Sequence, residues 1–445
     1  MQFTSLPFHL VVVSSFLILS IAAYVVYQCF LSPLAKIPGP FLAKLTNLYR
    51  ARLTLRGHSH RDYIALHEKY GKVVRMAPNE LSITDPSGFR EIYKAGNKFV
   101  KSASYNVMQG PCPFDLVGER DEQVHSSQRK LVARAYATDS LLHLEQNVDD
   151  VIRSLLAKLD SVRDQKIDLG EWLQLFAFDV VGSISFSRPF GFVESGDDQG
   201  LFQRIQNTIA SLAWLMHVPW VYHLHAMLRP VIGNWLAITD KDGFFYEYAS
   251  KETVGRKDRG GDDRDMLGQL LTAQSEKSQL RDADINFMMT TNVMAGSDTT
   301  SISLRGIFYL LLTHPEKLQC LMAELETQKG AGQLSDIVSA AQAKACPYLQ
   351  AVIYEGMRLM PPVASVIDRD VPAGGMTIGP YFIPAGTVVG TTAWALHRVP
   401  EIWGPDANEF RPERWLDAKA ESNLKRFFFA FGGGSRTCIG RSKSD

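Results

Sequence analysis

Hydrophobic and polar positions along this chain fall into blocks of different period, and the first block is the most extreme. Phe8 to Leu31 carries no charged residue and is long enough for a helix to cross a bilayer, so residues 8–31 read as a transmembrane anchor. A cleaved signal peptide is the competing reading. It is disfavoured by the missing basic n-region, the length of the apolar run and the lack of a small-x-small cleavage site. Lys36, Lys44, Arg50 and Arg52 all follow the span, which puts the body in the cytosol and residues 1–7 in the lumen. Ile37-Pro38-Gly39-Pro40 resists helix, so residues 32–40 read as a stiff hinge between anchor and body.

Beyond the hinge the period changes from element to element. His58 to Tyr70 has helical spacing, with Tyr63, Leu66, His67 and Tyr70 on one face. Val73–Pro78 and Glu80–Ile83 predict two short strands joined through Pro78-Asn79. Phe99 to Val117 is irregular and aromatic, either a binding loop or ordinary surface. A helical run opens at His125, and two helices fill Leu144 to Phe186. Phe202 to Tyr248 is rich in aromatics, and the charged run from Arg256 to Asp265 reads as a solvated loop. Asp282 to His314 is the longest helical segment and stops before Pro315. Asn292, Asp298 and Arg305 interrupt its apolar character, which makes it a core helix and not a second span. Turn-punctuated strands at Asp368–Pro372 and Ile383–Val389 complete a fold that is mainly α with small β-sheets.

Composition narrows the classes. The 445 residues are 46% apolar, ample for a deep core, and Lys+Arg and Asp+Glu both total 47, which gives no sign of nucleic-acid binding. Cys29, Cys112, Cys320, Cys346 and Cys438 show no paired spacing and read as reduced thiols.

The chemistry concentrates near the C-terminal end. Cys438 lies in the glycine-rich stretch Phe431–Gly440, with Arg436 two residues before it and Gly440 two after. A thiolate is a soft ligand suited to iron, and glycines let backbone approach a flat macrocycle. Arg436 is spaced to meet an anionic group beside the metal, and Phe431 to shield the sulfur. Further upstream, Ala295-Gly296-Ser297-Asp298-Thr299-Thr300 sets small residues and an acid–hydroxyl pair inside the long helix. Read bare, that pair is a satisfied polar contact in a core helix. Glu355 and Arg358 share a helix face at i, i+3, a spacing that is ordinarily a weak surface pair. Arg129 alone reads as a solvated helix charge, and Arg398 as a surface charge.

The pattern Phe-x-x-Gly-x-Arg-x-Cys-x-Gly, carried by Phe431, Gly434, Arg436, Cys438 and Gly440, resembles the haem-binding signature of the cytochrome P450 family. The other signatures occur in that family's order. His125 stands where members often have Trp, four residues before Arg129, and Ala295–Thr300 resembles the oxygen-activation motif. Glu355 and Arg358 match an ion pair completed by Arg414. The resemblance implies a cytochrome P450 fold over residues 41–445, with Cys438 thiolate binding the iron of haem b. Around that cofactor it places His125, Arg129, Ala295, Gly296, Arg369, Phe431, Gly434, Arg436 and Gly440. Asp298 and Thr299 would relay protons to dioxygen, and Glu355, Arg358 and Arg414 would form a structural ion network. Implied partners are NADPH-cytochrome P450 reductase, O2, a small apolar organic substrate and the endoplasmic reticulum membrane. The likeness is to fungal membrane-bound members, including the pisatin-demethylase type, acting in secondary metabolism. One departure is visible. The chain stops at Asp445, where family members continue into a long helix and a hairpin, so a truncated catalytic domain is expected. An inactive relic is therefore an alternative. A haem-thiolate isomerase or dehydratase is a third, against which Asp298-Thr299 argues.

Overall fold

The computed structural model describes residues 5–109, 112–236, 243–259, 264–276 and 279–443. A helix from Ser5 to Val26 continues through one π-helical turn, Tyr27–Leu31. Its large side chains, Phe16, Leu19 and Phe30 among them, are exposed on all sides. A helix apolar all round belongs in a core or a bilayer. The 23 residues His9–Leu31 suffice to cross a membrane by length and composition.

The junction with the body, read above as a stiff hinge, is pinned by hydrogen bonds and buried side chains. Arg75 lies in strand β1, Val73–Ala77, and its guanidinium is buried. It donates to the Gln28 carbonyl at 2.9 Å, to Gln28 Oε1 at 2.6 Å and to the Pro78 carbonyl at 2.7 Å. The Arg75 N–H donates to the Pro38 carbonyl at 2.7 Å, and a Cβ on Gly39 would collide with the Arg75 backbone. Leu34 and Ile37 are buried in the sheet's core. Proline and glycine here supply a shape that docks, not slack between two bodies.

Strands β1, β2 (Glu80–Ile83), β3 (Val100–Lys101), β4 (Arg369–Asp370) and β7 (Val388–Gly390) form one sheet in the order β1-β2-β7-β4-β3. Only the β2–β7 pair is parallel; the β1–β2, β7–β4 and β4–β3 pairs are antiparallel. Strands β5 (Met376–Ile378) and β6 (Tyr381–Ile383) make a separate hairpin. The stretch expected to be irregular from Phe99 to Val117 thus donates β3 and a 3₁₀ turn, Ala103–Val107, while residues 110–111 lie outside the described residues.

The remaining body is helical. The central helix Asp282–Thr313 packs along the helix Leu169–Phe186, whose N-cap Asp168 accepts from the Gly170 N–H at 2.8 Å. The run expected as a solvated loop between Arg256 and Asp265 is different. A helix, Phe244–Arg259, extends through Arg256, whose guanidinium meets Asp265 at 2.6 Å with both side chains buried. A buried charge needs such a partner. Residues 260–263 lie outside the described residues.

Candidate functional site

The cysteine loop is shaped by its backbone. The Cys438 N–H donates to the Phe431 carbonyl at 2.8 Å, and the Gly434 carbonyl accepts from Thr437 Oγ1 at 2.9 Å. Gly434 has φ of 65° and its missing Cβ faces the Tyr93 carbonyl, so both conformation and space demand glycine there. Cys438 is exposed at the mouth of the loop, and a Cβ on Gly440 would sit 3.7 Å from its Sγ. A 3₁₀ turn, Ile439–Lys443, follows. The Phe431 ring lies 5.9 Å from the Arg441 guanidinium.

Beside the loop stands a cluster of basic side chains, Lys101, Arg369 and Arg436 buried and Arg129 half-buried. Arg129, on the helix Glu122–Val132, donates to the Thr437 carbonyl at 2.8 Å. Arg436 donates to the Glu119 carbonyl at 2.8 Å and pairs with Glu122 at 2.8 Å, so an anion from the chain already meets part of its guanidinium. Arg369 donates to the Asp368 carbonyl at 2.8 Å. Lys101 lies directly opposite Arg369 across the β3–β4 pair, and both are buried. Like charges opposite one another in a sheet are destabilising. Burial pushes the Lys101 ammonium down to about 7, helped by Arg436 and Arg369 and opposed by Asp115 and Glu122. Burial and the charges of Arg436, Lys101, Arg129 and Arg369 push the His125 imidazole down to about 3, leaving it a neutral donor. The cluster is built to receive negative charge. Lys101 gave no sign in the sequence. A single lysine in an irregular stretch acquires its meaning only from the strand register that sets it against Arg369.

The central helix contributes a second surface. Ala295 is exposed, and Thr299 Oγ1 donates to its carbonyl at 2.7 Å. Burial raises the Asp298 carboxyl above the usual range, with the Arg305 charge opposing. Gly296 is placed differently from Ala295. Its missing Cβ would lie 3.1 Å from Val181 of the helix Leu169–Phe186. One residue along a helix is a turn of about 100°, so Gly296 serves helix packing while Ala295 keeps the open face.

Behind the loop lies a buried ion network. Glu355 accepts from Arg358 through both oxygens at 2.8 Å, from Arg414 at 2.9 Å, and from the Trp415 indole at 2.8 Å. Burial works to raise the Glu355 carboxyl, but Arg358, Arg414 and Trp415 outweigh it and hold it below the usual range. Arg398, expected as a surface charge, is half-buried and donates to the Leu359 carbonyl at 2.7 Å, closing the C-terminal end of the helix Pro347–Leu359.

His397 connects this network to the loop strand. Its Nδ1 donates to the Arg358 carbonyl at 2.9 Å, and its Nε2 accepts the Phe429 N–H at 2.8 Å. Burial pushes the imidazole down to about 3, the Arg358 carbonyl opposing and the Arg358 charge adding. The folded value lies below the ordinary one of about 6.5, so this stabilisation is complete above about pH 6.5 and is lost as pH falls toward 3. At about 1.4 kcal/mol per pH unit, acidification to about pH 5 removes roughly 2 kcal/mol through this residue. Melting temperatures across this acid range should fall less steeply in His397→Gln than in the parent. An unchanged slope would remove His397 from the account.

A helical body with a glycine-framed thiol, a long helix bearing an acid–hydroxyl pair and a nest of basic side chains is the arrangement that the sequence resemblance implies. The cytochrome P450 family model matches residues 35–442, and the chain belongs to that family. It is 55% identical over 439 residues to cytochrome P450 monooxygenase hepC of Aspergillus oryzae, covering 94% of this chain and 86% of that one. A cytochrome P450 monooxygenase of Aspergillus terreus is 37% identical, with 92% and 86% covered. Cytochrome P450 monooxygenase cicH of Emericella nidulans is 34% identical, with 92% and 85% covered. Membership implies a haem-thiolate cofactor, a redox partner, O2 and an organic substrate.

Proposed function

We propose that this chain is a membrane-anchored monooxygenase in which the Cys438 thiolate would hold the iron of haem b, inserting one oxygen atom from O2 into a small apolar organic substrate. The observation that carries the reading is the Lys101–Arg369 pair, two buried cations in register on neighbouring strands beside Arg129 and Arg436. A haem edge in that place would add to the relief that Asp115, Glu122 and the Val117 carbonyl, 2.6 Å from Lys101 Nζ, already give. Bound there, thiolate-ligated haem supplies the activation of dioxygen.

The chain's own residues then have distinct tasks. Arg129 holds the Thr437 carbonyl and thereby the loop, and Gly434 lets the loop pass Tyr93. Gly440 keeps one flank of Sγ clear. Ala295 leaves the helix face low. Burial makes Asp298 keep its proton to higher pH than an exposed carboxyl, and Thr299 holds its hydroxyl on the Ala295 carbonyl, the two groups proposed to deliver protons. Glu355, Arg358 and Arg414 hold the scaffold behind the loop.

NADPH-cytochrome P450 reductase is the proposed electron donor, and fungal secondary metabolism the proposed setting. Residues 8–31 are proposed to span the endoplasmic reticulum membrane once, with residues 1–7 lumenal and the body cytosolic. Exposed Phe41, Leu42, Trp220, Met227, Val231 and Trp235 favour a protein that lives against a bilayer.

The test is the reduced carbon-monoxide difference spectrum of the expressed chain. A red-shifted thiolate-type Soret band is expected. Absence of any haem band would sink the reading.

A further inference from the structure

The central helix carries one polar residue that the motif reading left as a mere interruption. Asn292 is buried, and its Oδ1 accepts from the hydroxyl of buried Tyr136 at 2.6 Å. Its Nδ2 meets the sulfurs of Met266 at 3.7 Å and Met289 at 4.0 Å, both weak acceptors. The Tyr136 bond is therefore the strong one, and it fixes which way the amide points.

The two partners belong to opposite sides of the site. Tyr136 ends the 3₁₀ turn Ala133–Tyr136, which follows the Arg129 helix and packs on Ile439–Lys443, the turn directly after Cys438. Burial raises the Tyr136 phenol strongly, its bond to Asn292 opposes, and the nearby Cys438 charge adds to the rise. Asn292 precedes Ala295 by three residues and Thr299 by seven, so one helical stripe carries all three. On the neighbouring face Gly296 is held against Val181, which limits sliding along that helix.

We infer that the Tyr136–Asn292 hydrogen bond sets the height and rotation of the Ala295–Thr299 face relative to the Cys438 loop, making both positioning residues for the ligand held between them. The inference rests on the haem-thiolate reading above. A neighbouring apolar contact could slide by fractions of an ångström, whereas a short hydrogen bond between buried groups has one length and one direction. Neither residue touches the reacting atoms; each acts through the element that bears it.

The experiment uses carbon monoxide as a diatomic probe of the holoenzyme and reads its C–O stretching band in the infrared. The parent should give one narrow band. Tyr136→Phe removes a single oxygen and should split or broaden that band while the thiolate-type Soret band persists. It should also lower the melting temperature, since Asn292 Oδ1 is left buried and unpaired. The double variant Tyr136→Phe/Asn292→Leu makes both partners apolar and should recover melting temperature without recovering the single band. A parent-like infrared band in Tyr136→Phe overturns the inference, as does joint recovery of stability and band in the double variant. If the parent itself gives no thiolate-type carbon-monoxide complex, the haem reading fails and this inference falls with it.

Discussion

Glu355→Ala should leave little or no folded protein. The carboxylate is wholly buried and serves two guanidinium groups, the Trp415 indole and the Arg411 N–H at once. Its removal strands Arg358 in a medium that cannot solvate it and leaves Arg414 only the more distant carboxylate of Asp406 at 3.4 Å. Breaking a buried ion pair from one side costs about 3–5 kcal/mol, and here one truncation breaks two. Net stability of a domain is about 5–15 kcal/mol, so the loss is a large fraction of the whole. Arg358 would keep its bonds to the His397 and Ala407 carbonyls at 2.6 and 2.7 Å, which hold position but cancel no charge. Arg153→Ala provides the contrast. Arg153 meets Asp150 at 2.6 Å, closer than any contact to Glu355, yet the side chains are 51% and 65% exposed. Water already solvates both groups, so urea midpoints should shift by less than about 0.5 kcal/mol equivalent. Soluble yield and urea unfolding of the two variants check the pair of expectations. A Glu355→Ala protein as stable as Arg153→Ala would show that the network contributes nothing to the fold.

The contrast also marks what a sequence can say. Glu355 and Arg358 are legible at i, i+3, but spacing alone cannot tell an exposed pair from a buried one, and Arg153-Asp150 has the same spacing. The third member, Arg414, comes from a 3₁₀ turn, Pro412–Trp415, and only the family pattern pointed to it. A helix with one apolar face, such as Ser59–Tyr70, announces itself because periodicity is local, and Asp282–Thr313 does so by its length and apolar character up to Pro315. Lys101, Tyr136 and Arg398 do not, because each owes its setting to a partner far along the chain: Arg369 across the sheet, Asn292 on the central helix, Leu359 at a helix end. Residues 32–40 make the same point from the other side. Their prolines signal a break in helix, and nothing in them shows that Arg75 will clasp Gln28 and close the joint.

Cys438→Ala should abolish the thiolate-type spectrum without harming the fold. The loop's shape comes from the Cys438 N–H bond to the Phe431 carbonyl and from the glycine conformations at Gly432 and Gly434, none of which needs the sulfur. The thiol is exposed, so alanine leaves no buried cavity of the kind that destabilises a core. Urea unfolding of the apoprotein should therefore stay within about 0.5 kcal/mol of the parent. Haem chemistry should change completely, because only a thiolate combines negative charge with a soft donor for iron. The other cysteines are poor substitutes. Burial raises the Cys346 thiol, with its Sγ 3.5 Å from the Gln342 carbonyl, and burial likewise raises Cys112, 3.5 Å from Asp284. Cys320, on the helix Pro315–Gly330, is exposed but stands beside Tyr348, and Cys29 belongs to the π-helical turn Tyr27–Leu31. The cations that gather at the Cys438 loop remain in the variant, so some haem should still be retained through its carboxylates, with the band of a neutral-ligand haem. Retention measured by haem stoichiometry, set against loss of the red-shifted band, separates the two halves of the site. A thiolate-type band surviving in Cys438→Ala would take the axial role away from Cys438, and one lost together with folding would mean the sulfur holds the loop itself.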